Sequence, residues 1–376
     1  MKSKIKSFLK KIRSRWHNDV LTKIESLQLP PLSWYNDVLI KINNLIPPSS
    51  PQDGFVHVSI GVVNWGSKFK KFTLSNNMPE KIALLKNGLD EESKNTIDLF
   101  LDRMLYLPDG DLKKFYKLSK SYLDSLYTDK ERIFDIKYWG ELPQYKTDFY
   151  LGTDEYSPDT FLFHHGLRFV SEKVKKYIKD KDFIDGGAWI GDSALVLNKY
   201  YSPGKIFSFE LSLKNCELFQ FTMDSNNISK DKYCLVPMGL GDKNEKILID
   251  DVGGQGASIL RKGSTDVIIT TMDSFVKENR LNVGFIKADL EGHGLKALKG
   301  MINTIRTYRP VLSLAIYHNT DEFFEMKPFL EEIVKDKNYK MMIKRFHVCV
   351  DNTSEICLFA YPAELDEGEL YENNNN

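Results

Sequence analysis

The sequence predicts an α/β fold in which a mostly parallel sheet carries helices on both faces, preceded by a mainly helical region at the N-terminus. Three observations lead to this prediction. From about residue 181, short apolar runs alternate with helical patterns, as in parallel sheets that are covered on both sides. A glycine-rich turn follows the first of these runs. The first 150 residues instead show helical patterns and proline-rich breaks.

The chain is predicted to divide into three parts. Residues 1–150 form the N-terminal region, and residues 151–363 form the α/β domain. Residues 364–376 are acidic and rich in asparagine, and we expect a disordered tail there. A chain of 376 residues of which 42% are hydrophobic can build a sizeable core.

The elements of the α/β domain follow from local patterns. Apolar runs predict strands near 182–185, 205–209, 233–237, 283–288 and 311–317. Helical patterns predict helices near 192–200, 213–226 and 295–307. Two short strands, at 246–250 and 266–271, indicate an insertion between the third and fourth main strands. The runs 339–344 and 356–360 are expected to complete the sheet as a hairpin-like terminal pair.

The N-terminal region begins with a predicted basic amphipathic helix at residues 1–16. Lysines and arginines crowd this segment, and no acid precedes Asp19. Such a helix can lie on an anionic membrane surface, or its apolar stripe can pack on its own protein. Both interpretations stay open. Further on, alternation from Phe55 to Ile60 predicts a strand, and the pattern from Glu91 to about Tyr127 predicts a helix interrupted at Pro108.

The bulk composition excludes several classes of protein. The 52 basic residues balance the 52 acidic ones, so no nucleic-acid partner is expected. The four cysteines show no C-x-x-C spacing and suit a reducing compartment. No apolar run is long enough to span a bilayer, and the N-terminus does not resemble a signal peptide. We expect a cytoplasmic protein, peripheral at the inner membrane surface if residues 1–16 bind lipid.

The glycine-rich turn carries the main functional signal, because an acid stands directly before it. A dinucleotide fingerprint reads G-x-G-x-x-G and holds a diphosphate, whereas the spacing here is D-x-G-x-x-x-G. A carboxylate repels a diphosphate but attracts the ammonium of a methionine moiety. The motif therefore favours S-adenosylmethionine over NAD, and its glycines are expected to let the backbone approach the ligand. The predicted cofactor-binding residues of this motif are Asp185, Gly186, Gly187, Gly191 and Asp192.

Further cofactor contacts are predicted at the ends of the next two strands. Glu210 ends the second strand, where nucleotide-binding folds grip ribose hydroxyls. Gly241 and Asp242 follow the third strand, and Asp242 is expected either to meet the adenine amino group or to be an ordinary turn acid.

Several runs of the sequence resemble FkbM-type methyltransferases over roughly residues 160–345. The runs are 182–188 with Phe209-Glu210, then 286–292, and Arg309-Pro310 followed by 313–318. The Lys-x-Asp-x-Glu-Gly element at 287–292 is the most specific of them. Leu211 and His293 depart from the usual pattern of the family. The resemblance implies a class I methyltransferase, Rossmann-like fold that uses S-adenosylmethionine to O-methylate hydroxyls of sugars or polyketide-type metabolites.

Asp289 and His318 are the predicted catalytic residues, since both follow strands whose carboxyl ends meet at one edge of the sheet. Asp289, which also counts as a cofactor contact, can orient the acceptor hydroxyl, act as a base, or hold a divalent cation with Glu291. We predict no metal site, and Glu291 is expected to cap a helix. His318 can accept a proton near neutral pH. His164 and His165 are expected in a solvated loop, and the loop at 253–258 is a candidate lid.

The predicted function is S-adenosylmethionine-dependent O-methyl transfer to a hydroxyl of a sugar, glycan or related metabolite. The expected partner is thus a small-molecule or glycan acceptor. Two alternatives remain: an NAD-dependent oxidoreductase of similar topology, and a non-catalytic, membrane-associated adaptor with a methyltransferase fold.

Overall fold

A computed structural model describes residues 78–101, 140–251, 253–254, 263–346 and 355–366, together with the backbone of 55–58, 102–106 and 116–119. Three sequence predictions lie outside the described residues: the basic helix at 1–16, most of the candidate lid at 253–258, and residues 367–376 of the tail. Among the described helices, none combines the length and apolarity that crossing a bilayer requires.

The predicted α/β class is confirmed by a seven-stranded sheet at the centre of the fold. In spatial order its strands are β5 (Tyr233–Val236), β4 (Ile206–Phe209), β3 (Asp182–Gly186), β9 (Val283–Ala288), β10 (Val311–Ala315), β12 (Ile356–Pro362) and β11 (Tyr339–Arg345). β12 runs antiparallel to both of its neighbours, whereas β5, β4, β3, β9 and β10 pair in parallel. The predicted hairpin-like ending is therefore confirmed.

The central strands are buried on both faces, which explains why they read as continuous apolar runs. All residues of β4, β9 and β10 are buried, as are all but the first of β3. The chain order reverses beside β3, because β4 follows it on one side and β9 lies on the other. Ligands of open α/β sheets bind outside the carboxyl ends of strands at such a reversal.

A second, three-stranded sheet confirms the predicted insertion. Its strands are β6 (Gly239–Leu240), β8 (Thr265–Thr270) and β7 (Glu245–Ile249), in that spatial order. The insertion follows β5 directly, so it borders the carboxyl end of the main sheet.

The helices confirm some predictions and correct others. They are α1 (Met78–Lys86), α2 (Glu91–Tyr106), α3 (Leu142–Asp148), α4 (Pro158–Phe161), α5 (Glu172–Ile178), α6 (Asp192–Tyr201), α7 (Leu213–Ser225), α8 (Met272–Asn279), α9 (Gly294–Lys299), α10 (Ile302–Tyr308) and α11 (Thr320–Val334), with 3-10 helices at His164–Phe169 and Ala363–Leu365. The single helix predicted at 295–307 is wrong, because α9 and α10 are separate. Gly300 lies between them against the backbone of Gly241, whose carbonyl oxygen would be 1.9 Å from an added Cβ.

The N-terminal region is only partly as predicted. α2 confirms the start of the helix expected from Glu91, but residues 116–119 form a strand instead of continuing it. This strand, β2 (Tyr116–Ser119), pairs antiparallel with β1 (Phe55–Val58), where alternation predicted a strand. The pairing joins residues about 60 positions apart along the chain. A local helical pattern cannot reveal such a partner, so the prediction failed there.

Helices α1 and α2 belong to the core of the α/β domain, which corrects the predicted boundary at residue 151. Ile97 and Phe100 are buried in the same apolar core as the main sheet. The rings of Phe100 and Phe323 stack with centroids 4.5 Å apart. The Ile343 backbone N–H at the edge strand β11 donates to the Ser93 hydroxyl oxygen over 3.0 Å. α2 therefore covers a sheet edge whose backbone groups need partners.

Residues 364–366, which were predicted to belong to a disordered tail, are part of the described fold. Glu364 forms an ion pair with Arg309, and Asp366 pairs with Lys340 over 2.7 Å. The acidic composition that predicted disorder instead supplies partners for basic side chains at the end of the sheet.

Ile97→Ala tests whether α2 is part of this core. Ile97 is fully buried, so we expect the free energy of unfolding to fall by about 2–5 kcal/mol. Leu84→Ala is the control, because Leu84 on α1 is 58% exposed and its loss should change stability by at most about 0.5 kcal/mol. Urea denaturation measures both values. Equal, small effects would show that α2 packs independently of the domain.

Candidate functional site

The candidate site is a cavity at the carboxyl ends of β3, β4 and β9. Its lining combines two carboxylates with apolar side chains and consists of Gly187, Phe209, Glu210, Leu211, Met238, Gly239, Leu240, Asp289, Leu290 and His293. Its volume is about 30 Å³, so a ligand larger than a water molecule has to move lining side chains apart. Three predicted site residues, Gly187, Glu210 and Asp289, are thus brought together from distant sequence positions.

Glu210 is held rigidly at the end of β4. Its carboxylate accepts hydrogen bonds from the backbone N–H groups of Trp189 and Ser212, each over 2.8 Å. Burial raises the pKa of Glu210 to about 7, although both backbone hydrogen bonds act to lower it. The carboxyl group is therefore fixed in orientation, and near neutral pH it exchanges between its charged and neutral forms.

The backbone of Gly187 lies close to another segment of the protein, the backbone of Asp289. Its φ of +78° favours glycine, and an added Cβ would lie 1.9 Å from the carbonyl oxygen of Asp289. The Asp289 backbone N–H also donates to the Gly186 carbonyl oxygen over 3.0 Å. The glycine turn after β3 therefore determines where the segment after β9 runs, and with it the position of the Asp289 side chain.

Gly191 and Asp192 lie outside the lining of the cavity, and their contacts with the cofactor stay predictions. Gly191 has a φ of +86°, and a Cβ there would meet Met223 and Phe219 at 2.8 and 2.9 Å. This glycine serves the packing of α6 on α7. The Asp192 carboxylate accepts a hydrogen bond from the Ser193 backbone N–H, and burial raises its pKa to about 7.

Asp185 is paired with a buried lysine, Lys287 on the neighbouring strand β9. The Lys287 ammonium lies 3.3 Å from the Asp185 carboxylate and donates to the Gly187 carbonyl oxygen over 2.7 Å. Ser208 also donates to Asp185. Asp185 is fully buried beside the lysine ammonium of the protein itself, and its contact with a ligand ammonium stays a prediction.

Lys287 is surrounded by negative charge. Burial acts to lower the pKa of Lys287, but four nearby carboxylates outweigh it and raise this pKa. These carboxylates belong to Asp185, Asp289, Asp192 and Asp159. Burial raises the pKa values of Asp159 and Asp192, so Asp185 and Asp289 supply most of the negative charge that attracts cations to this end of the sheet.

The two predicted catalytic residues, Asp289 and His318, are in contact. His318 Nε2 lies 2.9 Å from Asp289 Oδ1, and His318 Nδ1 lies 3.0 Å from Glu322 Oε2. Burial acts to lower the pKa of His318, but the adjacent carboxylates raise it well above its usual value. The charge of His318 conversely lowers the pKa of Asp289, against the effect of burial. The Tyr317 hydroxyl donates to the second Asp289 oxygen over 3.3 Å.

Gly241 and Asp242, two further predicted cofactor-binding residues, lie outside the lining of the cavity. Asp242 is exposed, outside the lining of the cavity. Gly241 is buried, and its backbone N–H donates to the Thr270 carbonyl oxygen over 3.0 Å. Gly241 therefore bonds to strand β8 of the insertion, and the contact of Asp242 with adenine stays a prediction.

His164 and His165 are buried, so the expectation of a solvated loop is wrong. Both have positive φ values, of 48° and 52°, which are rare for residues other than glycine. His165 Nε2 lies 2.8 Å from the Ser193 hydroxyl, and its Nδ1 lies 3.4 Å from the Asp159 carboxylate. Burial lowers the pKa of His165 well below its usual value. This network fastens the 3-10 helix to the start of α6.

A larger groove of about 610 Å³ lies at the opposite end of the sheet, where β11 begins. Its lining includes Asp90, Lys335 and Lys340 but none of the predicted site residues. Because ligands of this fold class bind at the carboxyl ends of strands, the smaller cavity is the candidate site.

Glu322 is the main site residue that the sequence analysis missed. It is 1% exposed, lies four residues after His318 in the first turn of α11, and orients the imidazole. The Asn319 side chain caps α11 by accepting from the Glu322 backbone N–H over 2.9 Å. The pattern of a capping residue followed three positions later by Glu is a recognised helix start, so it could have revealed α11.

Comparisons with known proteins agree with this architecture. Residues 185–341 match a family described as "Methyltransferase FkbM domain". The solved structure of Methyltransferase FkbM from Methylobacillus flagellatus KT is similar to this chain, with a TM-score of 0.51 and 17% identity. The match covers 79% of this chain and 61% of that one, so the chain spans about three fifths of the length of that protein. At this identity the likeness shows the fold alone.

Two other solved structures are more distant. An O-methyltransferase from Bacillus cereus, in complex with SAH, is 12% identical, with a TM-score of 0.34, and the match covers 64% of this chain and 96% of that one. An rRNA methylase from Streptococcus thermophilus is 10% identical, with a TM-score of 0.34 and coverage of 56% and 98%. Comparison with curated proteins finds no match.

Gly187→Ala tests the backbone contact that positions Asp289. The added Cβ would overlap the Asp289 carbonyl oxygen, so we expect the free energy of unfolding to fall by about 3 kcal/mol or more. Gly254→Ala is the matched control: its φ is +77°, but an added Cβ would meet nothing within 4 Å, and the cost should be about 1 kcal/mol. Thermal and urea denaturation compare the two. If the free energy of unfolding falls no more in Gly187→Ala than in Gly254→Ala, the contact between Gly187 and Asp289 does not stabilise the fold.

Proposed function

Residues 185–341 form a methyltransferase FkbM domain, and we propose that this chain binds S-adenosylmethionine in the cavity at β3, β4 and β9 and transfers its methyl group to a hydroxyl. One observation carries the proposal: Gly187, Glu210 and Asp289 line a single cavity at the reversal of strand order. Cofactor and acceptor can then meet at one edge of the sheet.

The Glu210 side of the cavity suits the nucleoside of the cofactor. Its carboxylate already accepts two backbone N–H groups, and its remaining lone pairs can accept from ribose hydroxyls. Leu211, Met238 and Leu240 line the same cavity and offer apolar surface to a flat base. Leu211 therefore serves the site although it departs from the pattern of the family.

The charge of the site suits a cationic cofactor. S-adenosylmethionine carries a sulfonium and an ammonium, which the carboxylates around Lys287 attract. The diphosphate of NAD would lie at the glycine turn, where Asp289 lines the cavity, and like charges repel. The same observation favours a binding site over a vestigial fold in an adaptor.

The Asp289 side of the cavity suits the acceptor. The acceptor oxygen attacks the methyl carbon, the bond between that carbon and sulfur breaks, and S-adenosylhomocysteine leaves. The hydroxyl proton passes to the Asp289 carboxylate, which lines the cavity, while the protonated His318 beside it holds that carboxylate in place. Glu322 orients His318 for this task. That the acceptor is a sugar, glycan or related metabolite rests on the family resemblance of the sequence.

Glu210→Gln tests the ribose contact, because it keeps the shape of the side chain and removes the charge. We expect the affinity for S-adenosylhomocysteine to fall about tenfold or more. In the wild type, affinity should fall as the pH drops below about 7, where Glu210 gains a proton, and Glu210→Gln should lose this dependence. Calorimetric titration on either side of that pH measures both effects. Glu278→Gln, at an exposed position outside the cavity, is the matched control; a larger effect there would refute the assignment.

His318→Asn tests the acceptor side. We expect transfer of a labelled methyl group to sugar acceptors to slow about 100-fold or more, while the affinity for S-adenosylhomocysteine changes less than about twofold. Thermal melting should accompany the assay, since His318 is buried. Normal turnover in a folded variant would leave His318 with a structural role only.

A further inference from the structure

We propose that Asp289, Glu291 and His318 form a binding site for one divalent transition-metal ion, of the class of Mn²⁺ or Zn²⁺, beside the cofactor cavity. From the sequence we predicted no metal site at these residues. The role of the ion rests on the proposed function, whereas its binding rests on geometry alone.

The spacing of the three side chains fits metal ligands. Their donor atoms all lie within 4.8 Å of one another. His318 Nε2 is 2.9 Å from Asp289 Oδ1 and 3.7 Å from Glu291 Oε1. Two ligands that each lie about 2.1 Å from one ion are about 3.0 Å apart at a right angle and about 3.4 Å apart at a tetrahedral angle. The two observed separations are close to these values.

Two of the donor atoms lack hydrogen-bond partners. His318 Nε2 and Asp289 Oδ1 are both buried, and despite their short separation neither forms an aligned hydrogen bond with any described residue. The His318 side chain is only 8% exposed. Buried polar atoms normally have partners, because an unsatisfied one loses its hydrogen bonds to water without replacing them. An ion between these atoms would satisfy both.

The imidazole is oriented as in many metal sites. His318 Nδ1 contacts the Glu322 carboxylate, which also accepts the Gly294 backbone N–H. A hydrogen bond from Nδ1–H to a carboxylate leaves the Nε2 lone pair for a metal and fixes the ring. The cap by Asn319 holds Glu322 in place. The orienting residues belong to the first turns of α9 and α11, which are rigid elements.

The donor set indicates the class of ion and its use. One imidazole and two carboxylates suit Zn²⁺ or Mn²⁺ better than Mg²⁺ or Ca²⁺, which prefer oxygen ligands alone. An ion here would replace the proton of His318, bind the acceptor oxygen and lower the pKa of its hydroxyl, so that the proton is lost to water. The same ion would align that oxygen with the methyl carbon.

The test is a titration of the full-length, EDTA-treated protein with Mn²⁺ alone, followed by the electron paramagnetic resonance signal of the free ion. We expect one Mn²⁺ to bind per chain. Glu291→Gln and His318→Asn should each weaken binding about 30-fold or more. Glu291 is 35% exposed, so Glu291→Gln should fold even if His318→Asn does not. Asp242→Asn, an exposed carboxylate outside the cluster, should bind Mn²⁺ like the wild type.

Titration with S-adenosylhomocysteine in the same samples separates the two proposals. Failure of the folded wild type to bind Mn²⁺, or unchanged binding in Glu291→Gln, overturns the metal site. If S-adenosylhomocysteine still binds in that case, the proposed cofactor site stands. Mn²⁺ binding that depends on Glu291, without S-adenosylhomocysteine binding, supports the metal site and contradicts the proposed cofactor.

Discussion

The contact between Lys287 and the turn after β3 is the interaction on which the rest of the site depends. Its ammonium forms an ion pair with the Asp185 carboxylate and donates to the Gly187 carbonyl oxygen, so it links β3 to β9 where their carboxyl ends meet. Removing one partner of such a buried pair costs about 3–5 kcal/mol. Gly187 in turn touches the backbone of Asp289 and thereby places that side chain at the cavity.

The surplus of carboxylates around this contact links stability to function. Each buried carboxylate costs free energy unless a cation or a donor compensates it. Lys287 compensates some of this charge, and a cationic cofactor at one end of the cavity would compensate more. At the other end, His318 lies among Asp289, Glu291 and Glu322. Both ends of the cavity therefore favour positively charged groups, and Asp289 contributes a carboxylate to each end.

Sequence reasoning succeeded where local pattern decides structure. The strands buried on both faces were recognised as apolar runs, and the meeting of Glu210 with Asp289 followed from their places at strand ends. Sequence reasoning failed where contacts between residues far apart in the sequence determine the structure. Gly191 looked like a ligand-facing glycine but makes room for neighbouring side chains, and His164 looked solvated because a pair of histidines is polar. No local sequence pattern shows that the Tyr201 hydroxyl lies 2.8 Å from His164 Nδ1.

The most direct test of the central claim is a calorimetric titration of the wild-type protein with S-adenosylhomocysteine, with NAD as the comparison. A cavity that joins Glu210 to a surplus of carboxylates should bind S-adenosylhomocysteine with micromolar affinity and should not bind NAD. Binding of NAD, or no binding of S-adenosylhomocysteine by a folded sample, would contradict this account of the site.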